Sequence, residues 1–410
     1  MGQFHRISCM TFIGLWLANG VLAQPKPEIL DFKQALQLAY NQNPRLLEAR
    51  QAIAASKGSL TTANSLGNPE IELELGDSRS FEIRQPFGPP GAGFLHRKIA
   101  SNSVKIQQES FKSAWAAVYL ELRDAYFQSI LHKKELELAQ ANLQAMRQFF
   151  SQVQLKYQTG QAFKNDFQRA KIELLKAEND NLSAQKELKV HKAKLNLTLG
   201  RSMETEFDVQ ENLREEQLTV TFEKLKETMF SQQPHIKMAE LELDSKQKNV
   251  TREQLSRLPS SYVGFKREDR EDEDDSSFLV GIQIPFWGLN QGEVKKAQAE
   301  RQIQQVKTEA IKNQALFGLY EAYLNAELHH KQLRLHKTSL EESNELLRLA
   351  NLRYSEGRID FLNYLDQVKA VTQSKVNYYH ALFNLSQSIS TLETLAYSSL
   401  RQEDFLNEKF

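Results

Sequence analysis

Cysteine is almost missing from this sequence: Cys9 is the one thiol in 410 residues. No disulfide can form within such a chain, and no cysteine metal cage can be built. Turn formers are also scarce. Seventeen Gly and ten Pro leave little room for many short loops and point to long helices. Neither sign of charge is in surplus, with 52 Lys plus Arg against 52 Asp plus Glu. That argues against a general nucleic-acid binder, which carries a basic excess. Long apolar runs are absent beyond the first two dozen residues, so a membrane role would have to rest on β-strands.

What is present starts with a targeting pattern. "MGQFHRIS" carries a basic residue, and "CMTFIGLWLANGVLA" is an apolar core that ends in small residues. Val21 and Ala23 suit the −3 and −1 positions of a signal-peptidase site, so residues 1–23 read as a signal peptide. The alternative is an N-terminal anchor, but the run is shorter than the ~20 residues a span needs. Cys9 lies inside this segment and away from the cleavage point, so no lipid anchor is expected and the mature chain has no thiol.

The chain repeats itself once. "FKQALQLAYNQNPRLLEA" (32–49) matches "FEKLKETMFSQQPHIKMA" (222–239), with Phe32/Phe222, Pro44/Pro234 and Ala49/Ala239 aligned 190 residues apart. "LRDAYFQSILHKKELELA" (122–139) matches "LYEAYLNAELHHKQLRLH" (319–336), and Tyr126/Tyr323, Tyr157/Tyr354 and Gly160/Gly357 all differ by 197. A repeat this long is a tandem duplication, not a solenoid. The expected division is a first repeat over 24–213, with a strand pair at about 70–87 and helices to about 200. A second repeat spans 214–400, with a strand pair at about 260–286, and a tail follows at 401–410.

Each repeat reads as a short helix ending before a Pro, a second helix, two strands, a very long helix, a Gly turn and a last long helix. The stretch 94–158 holds no Pro or Gly and would make a helix of ~95 Å. Its counterpart, 292–356, is interrupted only by Gly318. The apolar stripe Leu131, Leu136, Leu138, Leu143, Met146, Phe150, Val153 and Tyr157 is narrow, which suits coiled-coil packing with wet outer faces.

The strands alternate. Ile71, Leu73 and Leu75 face away from Glu70, Glu72 and Glu74; Phe81 and Ile83 face away from Glu82 and Arg84. In "SFLVGIQIPF", Phe278, Val280, Ile282, Ile284 and Phe286 share one side. Such alternation fits a lipid-facing, water-lined barrel, or an amphipathic soluble sheet packed on helices. Four strands cannot close a barrel, and open edges do not survive in lipid; three chains would supply twelve strands. Between the last two strands, "KREDREDEDDSS" (266–277) reads as a solvated loop, with a cation-attracting mouth as the sharper alternative.

Enzyme signatures are absent: no phosphate-binding glycine loop, no H-E-x-x-H and no G-x-S-x-G. His329 and His336 share a helix face, but no acid or cysteine completes a metal site with them. No enzyme activity, cofactor or metal is expected, nor a nucleic-acid partner.

The ordered set of Asn43-Pro44 and Gln233-Pro234 helix starts, the P-F-G and P-F-W-G strand ends, the Asp124-Ala125-Tyr126 and Glu321-Ala322-Tyr323 segments and the two Y-x-x-G turns resembles the TolC-like outer membrane efflux family, in its length and loops the heavy-metal branch. The resemblance implies a mostly α fold with a small β part: a long α-helical coiled-coil barrel plus a trimeric, twelve-stranded transmembrane β-barrel, four strands per chain. It implies the outer membrane of a Gram-negative bacterium, with most of the chain in the periplasm. The partners it implies are a homotrimer, outer membrane lipid, a periplasmic adaptor and an inner membrane transporter. Tyr157, Gly160, Tyr354 and Gly357 would form the periplasmic tips that meet the adaptor. Asp166, Asn363, Asp366 and Arg358 would sit at the entrance constriction. The family's second acidic position is Asn363 here and its basic position Ile359, which puts the usual salt-bridge lock in doubt. On their own, Asp166 and Asp366 also read as residues favouring a helix N-terminus, Gly160 and Gly357 as helix C-caps, and the two tyrosines as packing residues.

Overall fold

The structure, a computed structural model, describes residues 28–75, 79–211, 215, 220–269 and 274–397. The signal-peptide reading, residues 76–78, residues 270–273 and the tail lie outside the described residues. The reading of 266–277 as a loop is corrected at both ends: residues 266–269 and 274–277 continue the last two strands, Lys266 opposite Ser277 and Asp269 opposite Asp274.

The chain opens with β1 (Glu28–Leu30), α1 (Phe32–Gln42) and α2 (Pro44–Asn64). Asp31 caps α1 in a reciprocal box: its carboxylate accepts from the Gln34 backbone N–H, and the Gln34 side chain accepts from the Asp31 N–H at 3.1 Å. Asn43 then serves twice. It is extended before Pro44, which ends α1, and its Oδ1 accepts from Arg45 N at 3.0 Å to start α2.

Next come β2 (Glu70–Leu75), β3 (Arg79–Phe87), the 67-residue α3 (Ala92–Gln158), α4 (Lys164–Leu199) and β4 (Phe207–Val209). The second half repeats the order with α5 (Phe222–Gln232), α6 (Pro234–Leu255), β5 (Ser260–Asp269), β6 (Asp274–Gln283), the 65-residue α7 (Gln291–Ser355) and α8 (Phe361–Ala396). Gln233 repeats the joint made by Asn43, accepting from Ile236 N at 2.9 Å. At 1.5 Å per residue α3 and α7 are each about 100 Å long. Gly318 does not interrupt α7; the neighbouring turns carry the cost of one helical Gly.

Over one half of its length α3 packs on α2 and α6, and over the other on α4; α7 pairs in the same way with α6 and α8. The largest core lies midway, where Phe111, Trp115, Tyr119 and Tyr126 of α3 meet Leu30, Leu195 and Phe207. Here the structure adds an element that the sequence reading lacked. Strands β1 and β4 pair in parallel, Ile29 opposite Asp208. The buried Tyr126 hydroxyl lies 3.0 Å from the carbonyl oxygens of both Leu30 and Gln210, so its single proton serves either strand. Burial, then Asp31 nearby, push the phenol up to about 12.

At the far end of the long helices is one antiparallel sheet in the order β2-β3-β5-β6. Its register aligns Ile71, Ile83, Phe265 and Phe278 across all four strands, and Gln85, Val263 and Val280 across three. One face is therefore apolar, and it is open: Leu73 is 65%, Val280 82% and Phe278 88% exposed. Leu75 and Ile282 are exposed on the same face, Phe81 at 39% less so, and Ile83 is half-buried. The opposite face carries Glu70, Glu72, Glu82, Arg84 and Lys266, with Arg84 paired to Glu82 and Glu72.

Two strand assignments need correction. Ile284 and Phe286 are not in a strand: β6 ends at Gln283. Pro285 has no N–H to continue a ladder, and the chain turns, with Phe286 N donating to Ile284 O at 2.8 Å. Phe286 and Trp287 remain 73% and 91% exposed beside the sheet. Pro86, the counterpart of Pro285, stays in β3 because β2 begins only opposite Arg84 and leaves it paired on one side.

Candidate functional site

At the opposite end from the sheet, each long helix makes the same turn. Thr159 N donates to Leu155 O, Gly160 N to Tyr157 O and Gln161 N to Lys156 O at 3.0, 3.1 and 2.7 Å. In the second repeat Glu356, Gly357 and Arg358 donate to Leu352, Tyr354 and Arg353 at 3.1, 3.0 and 2.8 Å. Gly160 and Gly357 have φ of +75° and +70°. A side chain would be strained in this left-handed geometry, and it lets the turn satisfy the last helical carbonyls.

The tyrosine of each turn stacks on an aromatic of the returning helix. Tyr157 lies on Phe167, centroids 5.1 Å apart and 17° from parallel; Tyr354 lies on Tyr364 at 4.9 Å and 14°. Phe167 and Tyr364 are again 197 residues apart. That spacing was available in the sequence and was missed.

The returning helices start differently. Asp166 is in the first turn of α4, behind Phe163, which offers no side-chain cap. In α8 the cap is Asp360, whose Oδ1 accepts from Asn363 N at 2.9 Å. Asp366 is the sixth residue of α8, beyond the first turn, so its reading as a helix N-terminal residue is corrected: Asp360 fills that role. Asn363 and Asp366 are exposed, and Arg358 pairs with Glu356 at 3.1 Å. No described ion pair or hydrogen bond joins Asp166, Asp366 and Arg358 to one another.

What joins the two hairpins is a stripe of α8 that sequence reasoning did not single out. Phe361 stacks face to face on Phe149 of α3. Leu365, 2% exposed, is buried with Leu143, Met146 and Ala177. Lys369 Nζ lies 2.7 Å from Glu173 Oε2 of α4. That hydrogen bond holds the Glu173 carboxyl below the usual carboxylate range, against a smaller upward push from burial. Positions 361, 365 and 369 are spaced by four, one face of a helix, so the stripe was visible in principle. Its partners on α3 and α4 were not. A groove of about 380 Å³ opens beside it, lined by Asp166, Arg169, Glu173, Tyr354 and Asp360.

Among the described residues no three His, Cys, Asp or Glu side chains converge as metal ligands, and no helix is long and apolar enough to cross a membrane. Two ~100 Å helices with paired tips at one end and one four-stranded sheet at the other make a TolC-like fold. Comparison with known proteins agrees. The model of the outer membrane efflux protein family matches residues 227–396. The structure aligns with the CmeC outer membrane channel of Campylobacter jejuni at a TM-score of 0.78 and 13% identity, over 91% of this chain and 89% of that one. It aligns with CusC at a TM-score of 0.76 and 16% identity, over 92% and 95%. In sequence, the chain is 20% identical over 377 residues, 89% of its length and 90% of the relative's, to the cobalt-zinc-cadmium resistance protein CzcC of Cupriavidus metallidurans. The resemblance to the TolC-like outer membrane efflux family therefore holds, and the fold class read from the sequence, mostly helical with a small sheet, is the one observed.

Proposed function

We propose that this chain is one of three subunits of an outer membrane exit duct. Its two tandem repeats, 24–213 and 214–400, each contribute two strands to the barrel and one hairpin to the periplasmic tunnel. The observation that carries the reading is the sheet: an open apolar face, a charged opposite face, and free edges at β2 and β6. In water such a face is a liability, and in lipid the edges would be. Pairing β6 of one subunit with β2 of the next removes both problems, and three subunits give twelve strands, enough for a water-filled lumen. The lipid-facing side is then Ile71, Leu73, Leu75, Phe81, Ile83, Phe278, Val280 and Ile282, and exposed Phe286 and Trp287 lie at its rim.

The ~100 Å helices would carry the tunnel across the periplasm. The Tyr157–Gly160 and Tyr354–Gly357 turns would be its inner tips, where an adaptor and an inner membrane transporter engage. Asp166, Asn363, Asp366 and Arg358 would lie nearest the entrance. Transport would be passive, because the sequence carries no nucleotide-binding motif and no catalytic constellation is found among the described residues. The name of the CzcC relative makes divalent heavy-metal ions the first cargo to test. The second reading is a periplasmic coiled-coil tether. The tested quantity is membrane partition together with native mass: we expect an outer membrane trimer, and a soluble monomer would refute the duct.

A further inference from the structure

Above the tip stripe, two histidines on two helices bond one carboxylate, and a third histidine stacks on one of them. Glu135 of α3 accepts from His132 Nδ1 on its own helix and from His380 Nε2 on α8, both at 2.7 Å. His191 of α4 stacks on His132, centroids 4.0 Å apart. Glu135 and His132 are mostly buried, whereas the His380 side chain is 45% exposed. Other described polar links from α8 to the first hairpin are Lys369–Glu173, Ser386–Arg123, Gln387–Asp124 and Glu393–Arg123, none of which changes charge near neutrality. His380–Glu135 is therefore the link that pH can alter.

We propose that His132, Glu135 and His380 form a pH-sensitive clasp that holds the second hairpin on the first more firmly as the periplasm acidifies. Only the link from this clasp to tunnel opening rests on the exit-duct reading. Neutral imidazoles already donate to Glu135; protonated ones make charge-assisted bonds to it.

The neighbours support that sign. Burial pushes the Glu135 carboxyl up, but hydrogen bonds and charge from His132 and His380 outweigh it and hold the group below the usual carboxylate range. It stays ionised across the window in which imidazoles charge, and its contribution is lost only as pH falls through that lowered value. His191 works the other way. Burial first, then His132 and Lys194, keep it below the usual imidazole range, with Glu187 and Asp124 opposing. Its contribution to stability therefore falls as the pH drops below the ordinary imidazole value. It lies within the first hairpin and is unaltered in His380 variants, so it cancels between them. From α7, His329 is held low by burial, and Lys337 is occupied by Glu215.

The test is a double-mutant cycle, H380Q against E135Q, read as hydrogen-exchange protection of α8 amides in the full-length protein. Measurements at about pH 5.5 and about pH 7.5, corrected for intrinsic exchange, bracket the imidazole range. We expect coupling between the two sites that is about two- to fivefold larger in protection at the lower pH, as befits a half-exposed pair. Equal coupling at both pH values, or coupling that falls with acid, would overturn the clasp. In planar bilayers the wild-type trimer should open less at the lower pH, and H380Q should lose that difference. A pH-independent conductance beside intact coupling would overturn the link to opening. Absence of any channel would refute the exit duct and leave the exchange result intact.

Discussion

Phe361 of α8 lies flat on Phe149 of α3, two residues 212 positions apart in the chain that close the contact between the two hairpins. With Leu365 beneath it, this is an apolar latch near the tips, where the family resemblance would place a salt bridge. Asp366, in an expected acidic position, and Arg358, beside the basic position that Ile359 fills, do not meet: Arg358 pairs with Glu356. An apolar latch differs from an ionic one in a measurable way, because salt screens the second and strengthens the first.

The latch sets the first prediction. L365A should cost about 2–5 kcal/mol, since the side chain is fully enclosed. K369A should cost less than about 1 kcal/mol, because its pair with Glu173 is half in solvent. Both are read as denaturant stability and as exchange at residues 361–369. If the exit duct is right, L365A and F361A raise single-channel conductance while K369A barely does. Equal effects from all three would argue against an apolar latch.

The helix start at the second tip sets another. Asp360, not Asp366, bonds the orphan N–H of Asn363. D360A should therefore lower stability by about 0.5–2 kcal/mol, as for other N-caps, while D366A leaves melting unchanged. Conductance separates a further role: with Asp166 and Asp366 both replaced by Ala, a trimer whose entrance they ring conducts more. A double variant like wild type would leave them as surface residues.

Much of this arrangement was legible and some was not, for physical reasons. The Y-x-x-G turns could be read because a helix that must reverse needs left-handed geometry that Gly supplies cheaply, and Gly160 and Gly357 stand out in a Gly-poor chain. The Asn43-Pro44 and Gln233-Pro234 joints are local too. Strands β1 and β4 are three residues each, their partners lie far apart in the chain, and the hydroxyl that reaches both belongs to Tyr126, 96 residues from Leu30, so no window of sequence contains them. The Phe149–Phe361 contact is hidden for the same reason. Ile284 and Phe286 misled because apolar alternation runs on past Pro285, whereas the ladder cannot.

The parallel strand pair can be tested through the Tyr126 hydroxyl, which reaches carbonyls at the ends of both strands. Y126F keeps the ring, which packs edge-on to Phe32 and Phe127, and removes only the hydroxyl. Leu30 O keeps the Gln210 N–H at 3.0 Å and Gln210 is exposed, so the loss is that of one hydrogen bond, about 0.5–1.5 kcal/mol. The expected result is a lower melting temperature and faster exchange confined to the segments around 28–30 and 207–210. A variant as stable as wild type would mean that the two strands hold without the tyrosine.

The sheet gives the sharpest contrast, because adjacent residues of one strand face opposite environments. In β6, Val280 and Ile282 point to the open apolar side, and Ser277, opposite Lys266, points to the charged side. If the apolar side meets lipid, V280R or I282R should cost about 2–4 kcal/mol of membrane stability at the midplane. S277R, facing the lumen, should cost little. The measurement is the fraction of folded trimer in the outer membrane. A periplasmic tether predicts something else: arginine on an already exposed face changes little, within about 0.5 kcal/mol, and all three variants stay soluble. The two readings therefore diverge on the same three proteins, and the alternation along a single strand decides between them.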